Sequence, residues 1–157
     1  MVYLALYKGN RSGSDWRDRW YRLLDAVIRR CTGGQYSHCE LAVLGIGTPV
    51  NRYTQYVCYS ASLRDGGVRR KVMLLPADKW DLIPLPAVTT AQIEQHYTAT
   101  KGSGYDLPGA IGLVLPARQR RQRWFCSEWC AEVMGLPESW RYSPNSLAGV
   151  HKPTTES

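Results

Sequence analysis

The sequence predicts an α+β fold, because strand-like segments fill most of its first half and helical segments its second half. Short apolar runs bounded by glycine, proline or polar turns recur up to residue 85. Capped helical patterns follow from residue 89 onwards. The chain has 157 residues, of which 44% are hydrophobic, and shows no internal repeat or linker. We therefore expect one domain over residues 1–150 and a flexible tail over residues 151–157.

The first strand and helix are predicted from two different periodicities. Residues 2–7 are an apolar run with aromatic content, typical of a strand. Ser14 or Asp15 can cap a helix that runs to about Arg30. Apolar side chains recur at helical spacing along it, and this pattern predicts one buried stripe. The stripe comprises Trp16, Trp20, Leu23, Leu24, Val27 and Ile28.

Four more strands are predicted before the helical half, over residues 36–44, 53–62, 68–75 and 80–85. Asp65-Gly66-Gly67 is typical of a hairpin turn.

Two helical segments are predicted after the strands. Thr89 and Gln92 form a capping-box pattern for a helix that ends before Gly102 and turns Ile93 and Tyr97 inward. Residues 106–115 give a second, shorter segment, far too short to span a bilayer.

The charge balance indicates an anionic partner surface. The net charge is +7, and four of the cations form a cluster at Arg118, Arg120, Arg121 and Arg123. Anionic lipid, an acidic cell-wall polymer and nucleic acid are compatible partners. No zinc finger, RNA-recognition signature or long basic helix accompanies the charge, so we predict no dedicated nucleic-acid binding.

The N-terminal residues and the cysteines indicate the cellular compartment in which the protein is made. Residues 1–8 lack a basic region followed by a long apolar stretch, so we expect cytoplasmic synthesis without a signal peptide. The five cysteines are odd in number and show no disulfide-framework spacing, which favours reduced thiols.

One cysteine stands in a position typical of a nucleophile. Residues 123–135 predict a short helix with Cys126 in its first turn and a stop at Gly135. Unpaired backbone N–H groups and the positive end of the helix dipole favour a thiolate there. Cys130 and Val133 share the face of Cys126 and are predicted to pack on the sheet, whereas Glu128 and Glu132 lie off that face.

His38 is the candidate base for this thiolate. It begins the strand Ser37-His38-Cys39-Glu40-Leu41, and residues two apart on a strand point to the same side. Glu40 can therefore accept a hydrogen bond from the imidazole and orient it. His96, among polar neighbours on a predicted helix, and His151, in the predicted tail, are weaker candidates.

Each of these residues also has a structural interpretation. A cysteine in an apolar helix is often a small buried side chain, and a histidine on a strand is often only hydrogen-bonded. A binding or structural module without turnover would suit the six tryptophans and ten tyrosines. A zinc site built from His38, Cys39, Cys126 and Cys130 is disfavoured, because neighbouring residues on a strand face opposite ways.

The order His-x-Glu early and Cys-Ser-Glu late resembles the circularly permuted, papain-like branch of the NlpC peptidase superfamily. Within it, the small YiiX-like bacterial proteins are the most similar subgroup, and lecithin retinol acyltransferase is a distant relative. Ser37-His38-Cys39-Glu40-Leu41 and Phe125-Cys126-Ser127-Glu128 carry the likeness, and Ser143-Pro144-Asn145-Ser146-Leu147 resembles a proline-bearing segment of the family. The likeness covers about residues 3–150.

The resemblance implies a small, mostly antiparallel sheet packed against the cysteine helix. It also implies acyl transfer without a cofactor, with Cys126 as nucleophile, His38 as base and Glu40 as orienting group. Peptide amide bonds of the bacterial cell wall are the implied substrate, with lipid amides or esters as the alternative. Bacterial or phage origin follows, and a phage protein of this kind could belong to the virion. Candidate substrate contacts are Tyr36, Arg123 and Trp124, which flank the histidine and the cysteine in the sequence.

Overall fold

A computed structural model describes residues 1–10, 13–45, 54–107, 110 and 123–151, and its mixture of helices with a mostly antiparallel sheet confirms the α+β class. Seven strands lie within these residues: β1 (Val2–Tyr7), β2 (His38–Leu44), β3 (Gln55–Ser62), β4 (Gly67–Leu74), β5 (Trp80–Pro84), β6 (Gly104–Tyr105) and β7 (Arg123–Trp124). They form one sheet in the order β5-β1-β2-β3-β4-β6-β7. Every neighbouring pair is antiparallel except β6 and β7.

Four helices have described bounds: α1 (Trp16–Cys31), α2 (Thr90–Thr100), α3 (Cys126–Val133) and α4 (Pro144–His151), with a 3-10 turn over Ser139–Arg141. In the described part of the chain, no helix has the length and apolar character that a membrane-spanning segment needs.

The predicted buried stripe of α1 is wrong. Asp15 caps the helix as expected, accepting a hydrogen bond from the Trp16 backbone N–H. However, Trp16 is 70% exposed, Leu23 is 55% exposed and Trp20 is 49% exposed. Leu24 and Asp25 are the buried residues of this helix. The periodicity therefore identified an apolar face, but only half of its six residues, namely Leu24, Val27 and Ile28, are buried or half-buried.

Helix α3 is buried on nearly every side. It packs on the sheet face that carries Cys39 and Leu41, and it also contacts α2 and α4. Glu132 is its one exposed residue. Glu128, which was expected to lie off the face of Cys126, is only 1% exposed, so that side of α3 is covered as well. Helical periodicity could not predict this, because it does not indicate that α2, α4 and the 3-10 turn also contact α3.

The segment after the cysteine helix is structured rather than a tail. Pro144 occupies the first position of α4, where its missing N–H costs no hydrogen bond. The hydroxyls of Ser143 and Ser146 each accept a hydrogen bond from the other's backbone N–H, at 3.0 and 2.7 Å. His151, the first residue of the predicted tail, is the last residue of α4. Residues 152–157 lie outside the described residues.

Most predicted strands and the α2 capping box agree with the structure. Residues 2–7 form β1 as expected, and Thr89 and Gln92 make both capping hydrogen bonds. Strand β2 begins at His38, two residues later than predicted. The two-residue strands β6 and β7 were not predicted. Most of the predicted segment 106–115 lies outside the described residues, as do Arg118, Arg120 and Arg121 of the arginine cluster.

Candidate active site

Cys126 occupies the first position of α3 and is 4% exposed. The preceding Phe125 is extended and provides no side-chain cap. No capping side chain therefore accepts a hydrogen bond from the first-turn N–H groups, and the helix dipole favours negative charge there. This environment suits a thiolate.

His38 is the first residue of β2 and pairs with Tyr7, the last residue of β1. His38 and Glu40 share one side of β2, whereas the cysteine helix packs on the other side. Because His38 lies at the end of the strand pair, its imidazole still reaches that helix. Its Nε2 lies 3.1 Å from Oε1 of Glu40. Nδ1 is consequently the ring nitrogen left to interact with the Cys126 thiol.

Cys126 and His38 favour an ion pair. Burial alone would lower the pKa of His38, but the negative charge of Cys126 and hydrogen bonds from the imidazole to Cys126 and Glu40 raise it to about 9. A hydrogen bond from Cys39, together with the charge and hydrogen bond of His38, lowers the pKa of Cys126 well below its usual value. Both shifts favour a thiolate next to an imidazolium over the neutral pair.

Arg69 also binds the Glu40 carboxylate, and this contact was not predicted from the sequence. Burial would raise the pKa of Glu40, yet hydrogen bonds and charge from His38 and Arg69 lower it. The guanidinium of Arg69 donates two hydrogen bonds to this carboxylate, of 2.8 and 2.6 Å. A third bond, of 2.9 Å, goes to Asp65. Glu40 is therefore buried as a carboxylate between one imidazole and one guanidinium.

Two further thiols lie beneath the site. Cys39 and Cys130 are fully buried, with their Sγ atoms 3.8 Å apart. Burial raises the pKa of both thiols, so both stay neutral beside Cys126. All five cysteines are free. Among the described residues, no group of three or more histidine, cysteine or acidic side chains is arranged to hold a metal ion.

Two clefts meet at His38. One, with about 540 Å³ of empty volume, is lined on one side by α1, through Leu24, Val27 and Ile28, and on the other by Tyr105. Burial and the charge of Cys126 raise the pKa of the Tyr105 phenol well above its usual value, so this hydroxyl stays neutral.

The second cleft is larger, with about 1240 Å³ of empty volume, and more polar. Its charged lining comprises Glu40, Arg64, Asp65, Arg69, Lys71 and Lys79. Since cations outnumber acids here, this side of His38 suits an anionic group.

The three candidate substrate contacts line neither of these clefts. Tyr36 is buried and donates a hydrogen bond of 2.5 Å to Asp81. Arg123 is exposed on β7, and the half-buried Trp124 packs edge-on against His96, with 5.2 Å between ring centroids. His96 is half-buried rather than solvated, and burial lowers its pKa.

Asn145 is a further residue whose role the sequence did not predict. Its amide donates hydrogen bonds to Thr32 Oγ1 and Tyr36 O, of 2.6 and 2.8 Å, and accepts one of 2.9 Å from the Tyr36 N–H. These bonds tie α4 to the loop that precedes His38. A Cβ on Gly34 would lie 2.2 Å from Asn145 Oδ1, so this loop requires glycine there. The Gly33-Gly34 pair was the only sequence signal of this close approach.

Comparison with known proteins adds no family assignment, since no protein-family model matches the chain and no curated protein is significantly similar to it. The likeness to the permuted papain-like branch therefore depends on the short motifs around His38 and Cys126.

Proposed function

We propose that this protein is a cysteine-dependent hydrolase that cleaves amide bonds through a thioester intermediate. The observation that carries the proposal is the set Cys126, His38 and Glu40, brought together from two ends of the sequence with Arg69 behind them. Nucleophile, base and orienting group are the parts that this chemistry requires. A merely structural cysteine would need neither the depressed pKa nor an oriented imidazole.

The proposed reaction begins with the Cys126 thiolate attacking the substrate carbonyl carbon. The backbone N–H of Cys126 and the hydroxyl of Tyr105 are the proposed donors to the oxyanion. Nδ1 of His38 then gives its proton to the leaving amine as the C–N bond breaks. Finally His38 takes a proton from water, the resulting hydroxide adds to the thioester, and Cys126 leaves as thiolate. Glu40 holds the ring through Nε2 in both steps.

We also propose the permuted papain-like fold for the arrangement. The strand with the histidine precedes the helix with the cysteine in the chain, as in that branch. The cysteine helix packs on an antiparallel sheet, and the base lies at the end of a neighbouring strand.

Cell-wall peptides are the proposed substrates, by the resemblance in sequence. The polar cleft beside His38 supports this choice, because its cations suit the carboxylates that such peptides carry. A lipid amide or ester, or acyl transfer to another acceptor, is the second candidate, favoured by the apolar wall that α1 gives the smaller cleft.

The test is to trap the acyl-enzyme by mass spectrometry. The protein is incubated with muropeptides and, separately, with a long-chain N-acyl amide and a long-chain p-nitrophenyl ester. We expect a mass increase on the peptide containing Cys126 and release of the amine or alcohol. Cys126→Ala should abolish both signals, whereas Cys31→Ser, which removes an exposed thiol, should leave them unchanged.

Cleavage that persists in Cys126→Ala would contradict the proposal. Absence of turnover and of any Cys126 adduct with all three substrates would favour the binding or structural module instead.

A further inference from the structure

We propose that the outward face of α1 docks this protein on an anionic lipid surface. The face consists of an apolar stripe, Trp16, Trp20, Leu23 and Val27, together with the exposed arginines Arg17, Arg19 and Arg30. This inference does not depend on the proposed chemistry, since it concerns a surface that lies on the outside of the helix.

The stripe is continuous along the helix. Its residues are spaced by four, three and four positions, which places them on one side of an α-helix. Trp16, Leu23 and Trp20 are among the most exposed large hydrophobic side chains of the described residues. Exposed tryptophans in a row are costly in water, whereas tryptophan is favoured at the interface between lipid headgroups and acyl chains.

Apart from Asp15, the N-cap carboxylate next to Trp16, the exposed charges around the stripe are positive. Arg19 and Arg30 lie beside it on one flank, and Arg17 lies over the Trp16 ring, with 5.5 Å between the guanidinium carbon and the ring centroid. The two acids of α1 are elsewhere. Asp25 is buried, and Asp18 is half-buried with its carboxylate 3.7 Å from Arg64.

This combination favours lipid over a protein partner. A helix with tryptophan and leucine on one side, flanked by arginines, binds in the plane of an interface, and each basic residue adds attraction to anionic headgroups. The charge complementarity thus specifies an anionic bilayer rather than a neutral one. Docking would also bring the smaller cleft close to the membrane, because the half-buried Val27 at the edge of the stripe lines that cleft together with Leu24 and Ile28.

The test is binding of the full chain to extruded vesicles, measured by flotation and by the tryptophan emission maximum. Vesicles of phosphatidylglycerol and phosphatidylcholine in equal parts are compared with vesicles of phosphatidylcholine alone. We expect binding to the anionic vesicles, weakening as salt is raised, with a blue shift in emission. Trp16→Ser with Trp20→Ser should weaken binding about tenfold or more, and Arg17→Gln with Arg19→Gln and Arg30→Gln should weaken it similarly.

The matched control is Trp140→Ser with Arg141→Gln. This pair is also exposed and stacked, with 5.2 Å between guanidinium carbon and ring centroid, but it lies on the short 3-10 turn without a stripe. It should bind vesicles as the parent does, and so should Cys126→Ala. Circular dichroism of each variant verifies that the fold is kept.

Three outcomes would overturn the inference. The first is no binding to anionic vesicles, and the second is binding that the α1 substitutions leave unchanged. The third is a stable dimer in solution that the Trp16 and Trp20 substitutions convert to monomer, which would assign the face to a second copy of the chain.

Discussion

His38 interacts with two groups at once: one ring nitrogen with the Cys126 nucleophile and the other with the Glu40 carboxylate. The Nε2 contact with Glu40 fixes the ring, and the Cys126 charge raises its pKa to about 9. The opposite shifts of the two pKa values define a window in which thiolate and imidazolium coexist. The window opens above the lowered pKa of Cys126 and closes as the pH rises through that of His38.

The first prediction at the residue scale concerns alkylation of Cys126. With iodoacetamide, the rate at Cys126 should stay nearly constant between pH 6 and pH 8, because the thiolate is already formed. In His38→Ala the rate at pH 6 should fall about tenfold or more, since the stabilising charge is lost. Peptide mass spectrometry follows Cys126, with the exposed Cys31 as internal reference. Equal rates in the parent and in His38→Ala would exclude an activated pair.

The second residue-scale prediction concerns Glu40. Glu40→Gln keeps an oxygen that accepts the Nε2–H bond but removes the negative charge that helps raise the pKa of His38. The alkaline limit of activity should therefore move to lower pH, while the acid limit is affected less. This shift is measured by a pH profile of kcat/KM, recorded with the substrate that gives turnover in the acyl-enzyme experiment. An unchanged alkaline limit would show that Glu40 acts on orientation alone.

A third residue-scale prediction concerns the contribution of Arg69 to stability. Arg69→Met removes the guanidinium and leaves the Glu40 carboxylate buried with less compensation. Breaking a buried pair in this way costs about 3–5 kcal/mol of unfolding free energy. Urea unfolding of Arg69→Met should show such a loss, and the double variant Arg69→Met/Glu40→Gln should recover part of it. A loss below about 1 kcal/mol would mean that solvent already screens the pair.

At the scale of elements, α4 holds the loop that leads into β2. Asn145 makes three hydrogen bonds to that loop, and each contributes about 0.5–1.5 kcal/mol. Asn145→Ala should lower the unfolding free energy by roughly 2–3 kcal/mol. It should also raise the pH at which Cys126 becomes reactive, since His38 is only two residues beyond Tyr36.

Ser146→Ala is the control for this prediction. It weakens the first turn of the same helix without touching the loop at Thr32 and Tyr36. Its alkylation profile should match that of the parent protein. If Asn145→Ala also keeps the parental profile, Asn145 has a structural role alone.

Sequence patterns predicted the helices and strands themselves better than the contacts that each of them makes. The capping box of α2 follows from hydrogen bonds between neighbouring residues, and the end of the cysteine helix from Gly135, whose φ is 70°. The orientation of α1 does not, because periodicity identifies an apolar face without specifying what it meets. Helix α4 was missed for a related reason: eight residues give a weak periodic signal, and its contacts with α3 and the loop at Tyr36 come from distant parts of the chain.

At the scale of the whole molecule, the candidate site was predictable where its residues are neighbours on one strand. It was not predictable where distant elements meet. His38 and Glu40 were predictable as neighbours because strand alternation places them on one side. Their meeting with Cys126 was a hypothesis that packing of α3 on β2 makes possible. Arg69 could not be assigned from sequence, since it reaches Glu40 from β4, two strands away across β3. Tyr105 likewise depends on the short strand β6.

The hydrogen bonds of Asn145 have a consequence for biosynthesis. A ribosome releases the histidine strand early, the cysteine helix much later, and Asn145 after both. Domains generally fold as units when their chain has emerged. A nascent chain that already contains His38 and Cys126 still lacks the residue that fastens the loop before the histidine. The thiol of such a chain should therefore reach its full reactivity only after Asn145 has emerged and bound the loop.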